Sequence, residues 1–477
     1  MKLRLQERGQ SLVLIALAAV VLFGFSALAI DGSRVFSDRR NAQNAADTAA
    51  LSAALAKIRG DSYADAALDR ATSNGYANDT NSTVEIHLCN DPLITTACQA
   101  IPTSSPEPAK TNPANYIQVK ITSILPATFA RIIGRDEFEN IVTAVAYAGP
   151  VEPQPLVNGA ALAALAPNEP DAILGNGNIY LDINNSGIFS NSSVTDDAPP
   201  CQTGSMSTVG NGVYTVDTSI QVVGSFCQSQ NTSVTGQVLP TSQIQYPPTI
   251  NLPTPSITCS GNGSSSFNAG TNTTTFSPGN YNSSINLNST GHIHFSPGNY
   301  CFNGSVTVGG TANIIANNVN FLIKSGEFRT SGTSTFTCND MLVYINGGSG
   351  MHFNGNGGNY CNNVTFYAKT GNISWNGNVD NRFFAPTGGD YKNVLIYMPF
   401  GNTSPLTING NSGNELTGTI LAIQAPITIS GNSGNTGFHS QIIGYTIDIQ
   451  GNSNTVINYV PDEQYQVVDP SAIQLTK

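Results

Sequence analysis

Hydrophobic and polar positions between residues 351 and 455 recur in a fixed phase. Five times an apolar residue is followed two places on by a Gly that opens a Gly/Asn turn: Phe353 with Gly355, Trp375 with Gly377, Ile408 with Gly410, Ile429 with Gly431 and Ile449 with Gly451. Gly291, Gly310 and Gly332 extend the series upstream, and the successive spacings from Gly291 to Gly451 are 19, 22, 23, 22, 33, 21 and 20 residues. A period of about 21 with a short β-pattern in each repeat predicts a solenoid. A second row agrees. Asn318, Asp340, Asn363 and Asn393 each precede a β-rich run, and the first apolar residues of those runs, Val319, Met341, Val364 and Val394, stand 22, 23 and 30 apart. Gly and Asn suit the corners because both tolerate left-handed backbone. Val, Ile, Phe and Tyr between corners suit strands. The pattern predicts a right-handed-type parallel β-helix, mainly β, whose rungs lie roughly 4.8 Å apart, so that eight rungs span about 40 Å. The long gap between Gly377 and Gly410 holds an insertion, Asp380 to Asp390, that loops off one face.

The N-terminal pattern is of another kind. Leu12–Ile30, centred near Val20, is an uncharged run of 19 residues, long enough for a transmembrane helix. Ala27-Leu-Ala29 offers a signal-peptidase site behind the basic residues Lys2, Arg4 and Arg8. The length of the run, and an Ala-rich stretch from Arg34 to Ile58 without Pro or Gly, favour an uncleaved helix that continues beyond the span. Ala42, Ala45, Ala46, Ala49, Ala50, Ala53 and Ala54 form a smooth stripe at helical spacing. Such a stripe admits a second membrane helix, but packing on its own domain's sheet is the favoured expectation.

A second helix is expected over Asp61–Ala77, and strands over Val84–Leu88, Tyr116–Ile124 and Ile141–Ala148. The organisation is thus an anchor and long helix (1–58), a small α+β domain (59–148), a Pro-rich linker (149–157), a β-helix (158–460) and a tail (461–477). Ile173-Leu-Gly175-Asn-Gly and Gly187-Ile-Phe-Ser read as early rungs, interrupted by a Pro-studded excursion over Leu239–Pro255. Phe276-Ser-Pro-Gly-Asn-Tyr281 recurs as Phe295-Ser-Pro-Gly-Asn-Tyr300, again one rung later.

Charge narrows the function. Only 10% of residues are charged, the net charge is −11, and beyond residue 150 the only basic residues are Lys324, Arg329, Lys369, Arg382, Lys392 and Lys477. Nucleic acid, which needs a basic face, is excluded as a partner. All 8 Cys follow the apolar span, as expected in an oxidising compartment. Basic residues flank the span on both sides (Lys2, Arg4, Arg8; Arg34, Arg39, Arg40), so charge alone leaves its orientation open.

Three N-terminal stretches carry a resemblance: Glu7-Arg-Gly-Gln-Ser-Leu-Val-Leu-Ile, then Ala29-Ile-Asp-Gly-Ser-Arg34, then Asn41-Ala-Gln-Asn-Ala-Ala-Asp-Thr-Ala-Ala-Leu-Ser-Ala-Ala. Together they resemble the start of the TadE/TadG-like proteins of Tad (Flp) pilus assembly. The likeness is strong over residues 7–57 and weaker through Tyr116–Ala148. It implies a chain held in the cytoplasmic membrane with its bulk extracytoplasmic, a TadG-like small domain, and pilus subunits or other cell-envelope proteins as partners. β-Helix tails with Pro-Gly-x-Tyr turns also occur on some proteins of that kind. One position departs: Leu14 stands where prepilin-type cleavage after Gly9 is normally followed by Glu.

Candidate chemistry is sparse. β-Helices host enzymes that act on polysaccharides with carboxylates and cations along one groove. Here only Asp380, Arg382, Asp390 and Lys392 gather, and they read as exposed pairs on a loop. His292 and His294 share one strand face without a third ligand, the Gly-Asn-Ser turns lack the Asp that calcium stacks require, and Trp375 sits at a core position. No catalytic, cofactor or metal site is expected. The surface suits structural or adhesive contact, including with carbohydrate. The other readings are a β-helix enzyme on polysaccharide, and a secreted adhesin cleaved after Ala29.

Repeat phase reaches the disulfides. Cys338 and Cys361 occupy the same phase of consecutive repeats, 23 residues apart. Neighbouring rungs at about 4.8 Å fall inside the roughly 4.4–6.8 Å window for bonded Cys α-carbons. A Cys338–Cys361 bond is therefore expected, with Cys89–Cys98 the next pair. Cys201, Cys227, Cys259 and Cys301 are left open.

Overall fold

The computed structural model describes residues 10–94, 98, 101–103, 108–149, 153–196, 200–377, 380–410, 414–432, 437–468 and 473–476. Two compact units emerge. One comprises Met1–Pro153 with Val468–Lys477, the other Gln154–Val467. The β-helix unit is thus inserted into the sequence of the small domain.

In the first unit, α1 (Gln10–Arg59) is one uninterrupted helix of 50 residues. Its first half exposes Leu12, Val20, Phe23 and Ile30, while all seven Ala of the stripe from Ala42 to Ala54 are at most 1% exposed. They pack on α2 (Tyr63–Ser73) through Ala67 and Ala71, and on Ile117, Val119, Ile121, Val142, Ala144 and Ala146. The stripe therefore faces its own domain's sheet, because small side chains let the helix backbone settle close against the strands. The Ser62 hydroxyl accepts from the Asp65 amide at 3.3 Å and starts α2. The sheet is antiparallel and runs β1 (Ser82–Leu88), β2 (Tyr116–Pro126), β3 (Glu137–Ala148), β4 (Ile473–Thr476).

β4 corrects the reading of residues 461–477 as a tail. Leu475 pairs with Ala146 and packs beside the Ala core. Residues 461–467 belong to the β-helix unit, where Gln464 is fully buried and its amide donates to His439 and Val460 carbonyls. The expected linker is likewise divided. The unit boundary falls after Pro153, and Leu156 is already buried.

The second unit is a parallel solenoid of about 13 turns built on a 28-stranded sheet. Phe353 pairs with Trp375, Trp375 with Ile408, Ile408 with Ile429 and Ile429 with Ile449, and each of these side chains is at most 2% exposed. The glycines of the ladder follow: Gly355 pairs with Gly377 and Gly410 with Gly431. Gly355 has φ 128°, and a Cβ there would lie 2.4 Å from the Gly332 carbonyl oxygen of the rung below. That corner leaves no room for a side chain. The next corner uses Asn or Asp: Asn318, Asp340, Asn363 and Asn393 have φ between 53° and 62°, and the Asn363 amide donates to Asp340 at 2.8 Å.

The rung order differs from the chain order. Ile173–Asn184, read as early, pairs along its length with Ile447–Asn458, and Met206–Val222 stacks on its other side. The early segment is therefore laid against the last rungs of the ladder rather than before its first. Residues 241–259 make this order possible. Ile244, Tyr246, Ile250, Leu252, Ile257 and Cys259 pack on an outward row that includes Phe189, Ile443, Leu421, Tyr397, Tyr367, Tyr344, Leu322 and Cys301. This strap returns the chain to the other end, where Ser265–Asn268 caps the first rung as an antiparallel strand. The Ile244 amide donates to Asn191 at 2.8 Å, the Tyr391 hydroxyl donates to the Pro253 carbonyl at 2.7 Å, and Cys259 is bonded to Cys301. Burial, then the neighbouring Tyr445, pushes the Tyr246 hydroxyl up to about 12.

Four disulfides are present: Cys89–Cys98, Cys201–Cys227, Cys259–Cys301 and Cys338–Cys361, with Cα separations of 5.8, 5.2, 6.1 and 4.4 Å. Cys338 and Cys361 are rung neighbours inside the core. Their bond contributes roughly 3 kcal/mol on the chain-entropy view. Cys89 and Cys98 lie against Tyr116 and Tyr147 on the side of the sheet away from α1.

Two outcomes follow from this packing. Ile429→Asp places an unpaired charge between Ile408 and Ile449, so a thermal melt should show a loss of several kcal/mol; an unchanged melt would contradict the register. Deleting residues 473–477 uncovers the edge of β3, so amide exchange at Val145–Ala148 should accelerate, whereas unchanged protection would mean that β4 is not part of the sheet.

Candidate functional site

The anchor is built first. Between Leu12 and Ile30 the apolar side chains of α1 are exposed, with Leu12 at 73% and Phe23 at 75%, and at Asp31 burial begins. Among the described residues this is the one helix long and apolar enough to cross a membrane. Asp31 is 3% exposed and its carboxylate accepts from the Phe129 and Ala130 amides at 2.8 and 2.7 Å. The Arg34 guanidinium donates to the Thr128 hydroxyl. These two residues, which carried part of the sequence resemblance, thus fasten the end of the apolar run to the Ala130–Ile133 turn. Asp38 continues the seam. It accepts from Tyr76 at 3.0 Å, Ser123 at 3.2 Å and Asn140 at 2.7 Å. Burial, and then the hydrogen bond to Asp38, holds the Tyr76 hydroxyl protonated far above its ordinary range. A helix emerging from a bilayer would be clamped to its domain within two turns.

On the β-helix, the insertion that follows Phe384 and the turn at Pro461–Glu463 flank the corner formed by Asn339 and Asn362. Between them lies a groove of about 590 Å³ lined mainly by Asn, Thr, Lys, Asp and Glu residues. Phe384 forms one wall and touches Tyr360 edge-on, with ring centroids 5.9 Å apart. Asp380, Arg382, Asp390 and Lys392 are all exposed, and among the described residues no ion pair joins them. The expected loop pairs are not formed, because Arg382 stays on its rung opposite Glu415 while Asp390 and Lys392 leave it.

One cluster has no precursor in the sequence reading. His352 Nδ1 lies 2.7 Å from the Ser374 hydroxyl, His352 Nε2 lies 3.4 Å from a Glu327 oxygen, and Arg329 pairs with the same carboxylate at 2.8 Å. The order Ser–His–Glu is that of a hydrolase. However, Ser374 is 7% exposed in mid-strand, and its strand is hydrogen-bonded to a neighbour on each side. The ladder therefore uses the backbone N–H groups that an oxyanion would need. The cluster acts as a polar tie across three rungs. It could be anticipated only by aligning Arg329, His352 and Ser374 in rung register, since they are 23 and 22 residues apart.

His292 and His294 lie on the outward side of a strand whose Ile293 and Phe295 point inward. Asp196 stands near Cys201 and Cys227, the one grouping of metal-ligand type among the described residues, but the two sulfurs are bonded to each other. Trp375 is fully buried.

Burial lowers the His352 pKa, Glu327 opposes that shift and Arg329 adds to it. The unfolded imidazole therefore takes up a proton before the folded one. The contribution to stability is full above the ordinary His pKa of about 6.5 and falls as pH drops from there toward the folded value, because the unfolded chain gains the proton first. In melts between pH 7 and pH 5, His352→Gln should lessen the acid-side loss of stability; an identical pH profile would contradict this.

No curated protein and no solved structure matches the chain. Residues 9–56 match the model of the family described as Putative Flp pilus-assembly TadE/G-like. The matched stretch lies almost wholly within α1, spanning the exposed apolar run, Asp31, Arg34 and the buried Ala stripe, so the similarity to that family is carried by α1.

Proposed function

We propose that this chain is a single-pass membrane protein of a Tad (Flp) pilus apparatus, minor-pilin-like or an assembly accessory. In this reading its β-helix stands outside the cytoplasmic membrane for structural or adhesive contact. The observation that carries it is the continuity of α1. The helix passes without a break from exposed apolar residues into the Ala core of a folded domain, over the stretch that matches the pilus-assembly family. A cleaved leader has no need of such a join. Four disulfides support an oxidising compartment for both units. The low charge and the stacked amides suit a stable presenting surface, and the role is taken as non-catalytic. Pilus subunits or other envelope proteins are the proposed partners.

Membrane fractionation tests the anchoring directly. Carbonate and high-salt washes should leave the protein in the pellet, and protease added to intact spheroplasts should digest it from Asp61 onward. Recovery of a soluble species that begins at Ile30 would overturn the anchor and favour a secreted adhesin.

A further inference from the structure

The groove beside the insertion has a composition that selects a ligand class. Asn339 and Asn362 are register partners on consecutive rungs, so their backbones follow one another along the floor at roughly 4.8 Å, and the Asn339 amide donates to Asp340 at 2.7 Å. Phe384 offers a partly exposed ring in the wall, and Tyr360, 44% exposed, extends that aromatic surface. The Asn362 amide donates to the Tyr360 hydroxyl at 3.3 Å and joins the floor to the aromatic edge. At the rim, Lys392 faces the turn that carries Asp462 and Glu463. The volume is in the range of small-ligand sites.

We propose that this groove binds a neutral or amino-sugar oligosaccharide. A pyranose alternates an apolar C–H face with a belt of hydroxyls. The face packs on an aromatic ring, and each hydroxyl both donates and accepts, which matches side-chain amides that do the same. Repetition of Asn at rung spacing lets successive hydroxyls of a sugar chain meet equivalent partners. Other ligands fit less well. An apolar peptide would cover the amide-bearing floor without hydrogen-bonding to it, and a polyanion would meet Asp462 and Glu463 at the rim. The site gives the adhesive part of the proposed function a ligand, and it rests on that reading only for its exposure outside the cell.

Full-length protein purified in detergent would be applied to immobilised neutral, amino-sugar and uronic oligosaccharides. Saturable binding to neutral or amino-sugar chains is expected. Loss of one aromatic or amide contact should weaken it about tenfold in Phe384→Ala and in Asn362→Ala. Tyr180→Ala, on an exposed strand position outside the groove, should bind as the parent does. If Phe384→Ala melts early, Asn362→Ala decides. No binding to any sugar, a preference for uronic chains alone, or binding that Asn362→Ala leaves unchanged would overturn the proposal. Failure of the membrane test leaves the sugar result standing, and the reverse also holds.

Discussion

Each rung of the β-helix hydrogen-bonds to the rung beside it, and that pairing sets like residues on like. An inward Phe, Trp or Ile must rest on the inward residue one turn away, as Phe353, Trp375, Ile408, Ile429 and Ile449 do. Outward positions obey the same rule with other chemistry. Asn320 donates to Asn299 at 3.0 Å, Asn184 to Asn458 at 2.9 Å and Asn178 to Asn452 at 3.0 Å. Corners obey it too, because a Cβ on Gly332 would lie 2.5 Å from the Gly310 carbonyl oxygen. The low charge of the chain follows from this geometry, since like charges stacked at rung spacing repel while amides bond.

The same pairing explains how the unit begins and ends. A solenoid leaves open strand edges at its two ends, and open edges invite unwanted pairing. Here one edge of Ile447–Asn458 is covered by Ile173–Asn184, so the last part of the ladder ends against an earlier part of its own chain. The strap over the outward Tyr row allows that closure and is bonded to the second end through Cys259 and Cys301. Because the chain enters this unit after Pro153 and leaves it after Val467, the small domain receives its fourth strand only when the β-helix has been traversed. Completion of the anchored domain therefore waits on the inserted one.

What could be read beforehand divides along the same physical line. The ladder from Phe353 to Ile449, the corner residues Asn318, Asp340, Asn363 and Asn393, and the Cys338–Cys361 pairing were legible because a solenoid turns spatial neighbours into a sequence period. Α1 was legible from its uncharged run and its Ala spacing. The position of Ile173–Asn184 was not, because its partner rung lies 274 residues away at Asn184 and Asn458 and both carry the same Gly/Asn style. β4 was hidden by its length of four residues. The groove was hidden because Lys392 and Glu463 come from segments that leave the period. His352 and Ser374 were hidden because neither stands in a conspicuous motif.

The account depends most on the closure of the ladder by the early segment. Asn184→Cys combined with Asn458→Cys places two thiols on register partners of adjacent rungs. Non-reducing peptide mapping of the exported double variant should find them joined, with Cys338–Cys361 intact in the same molecule. Two freely alkylated thiols at residues 184 and 458, beside an intact Cys338–Cys361 bond, would contradict the closure while leaving the local ladder in place.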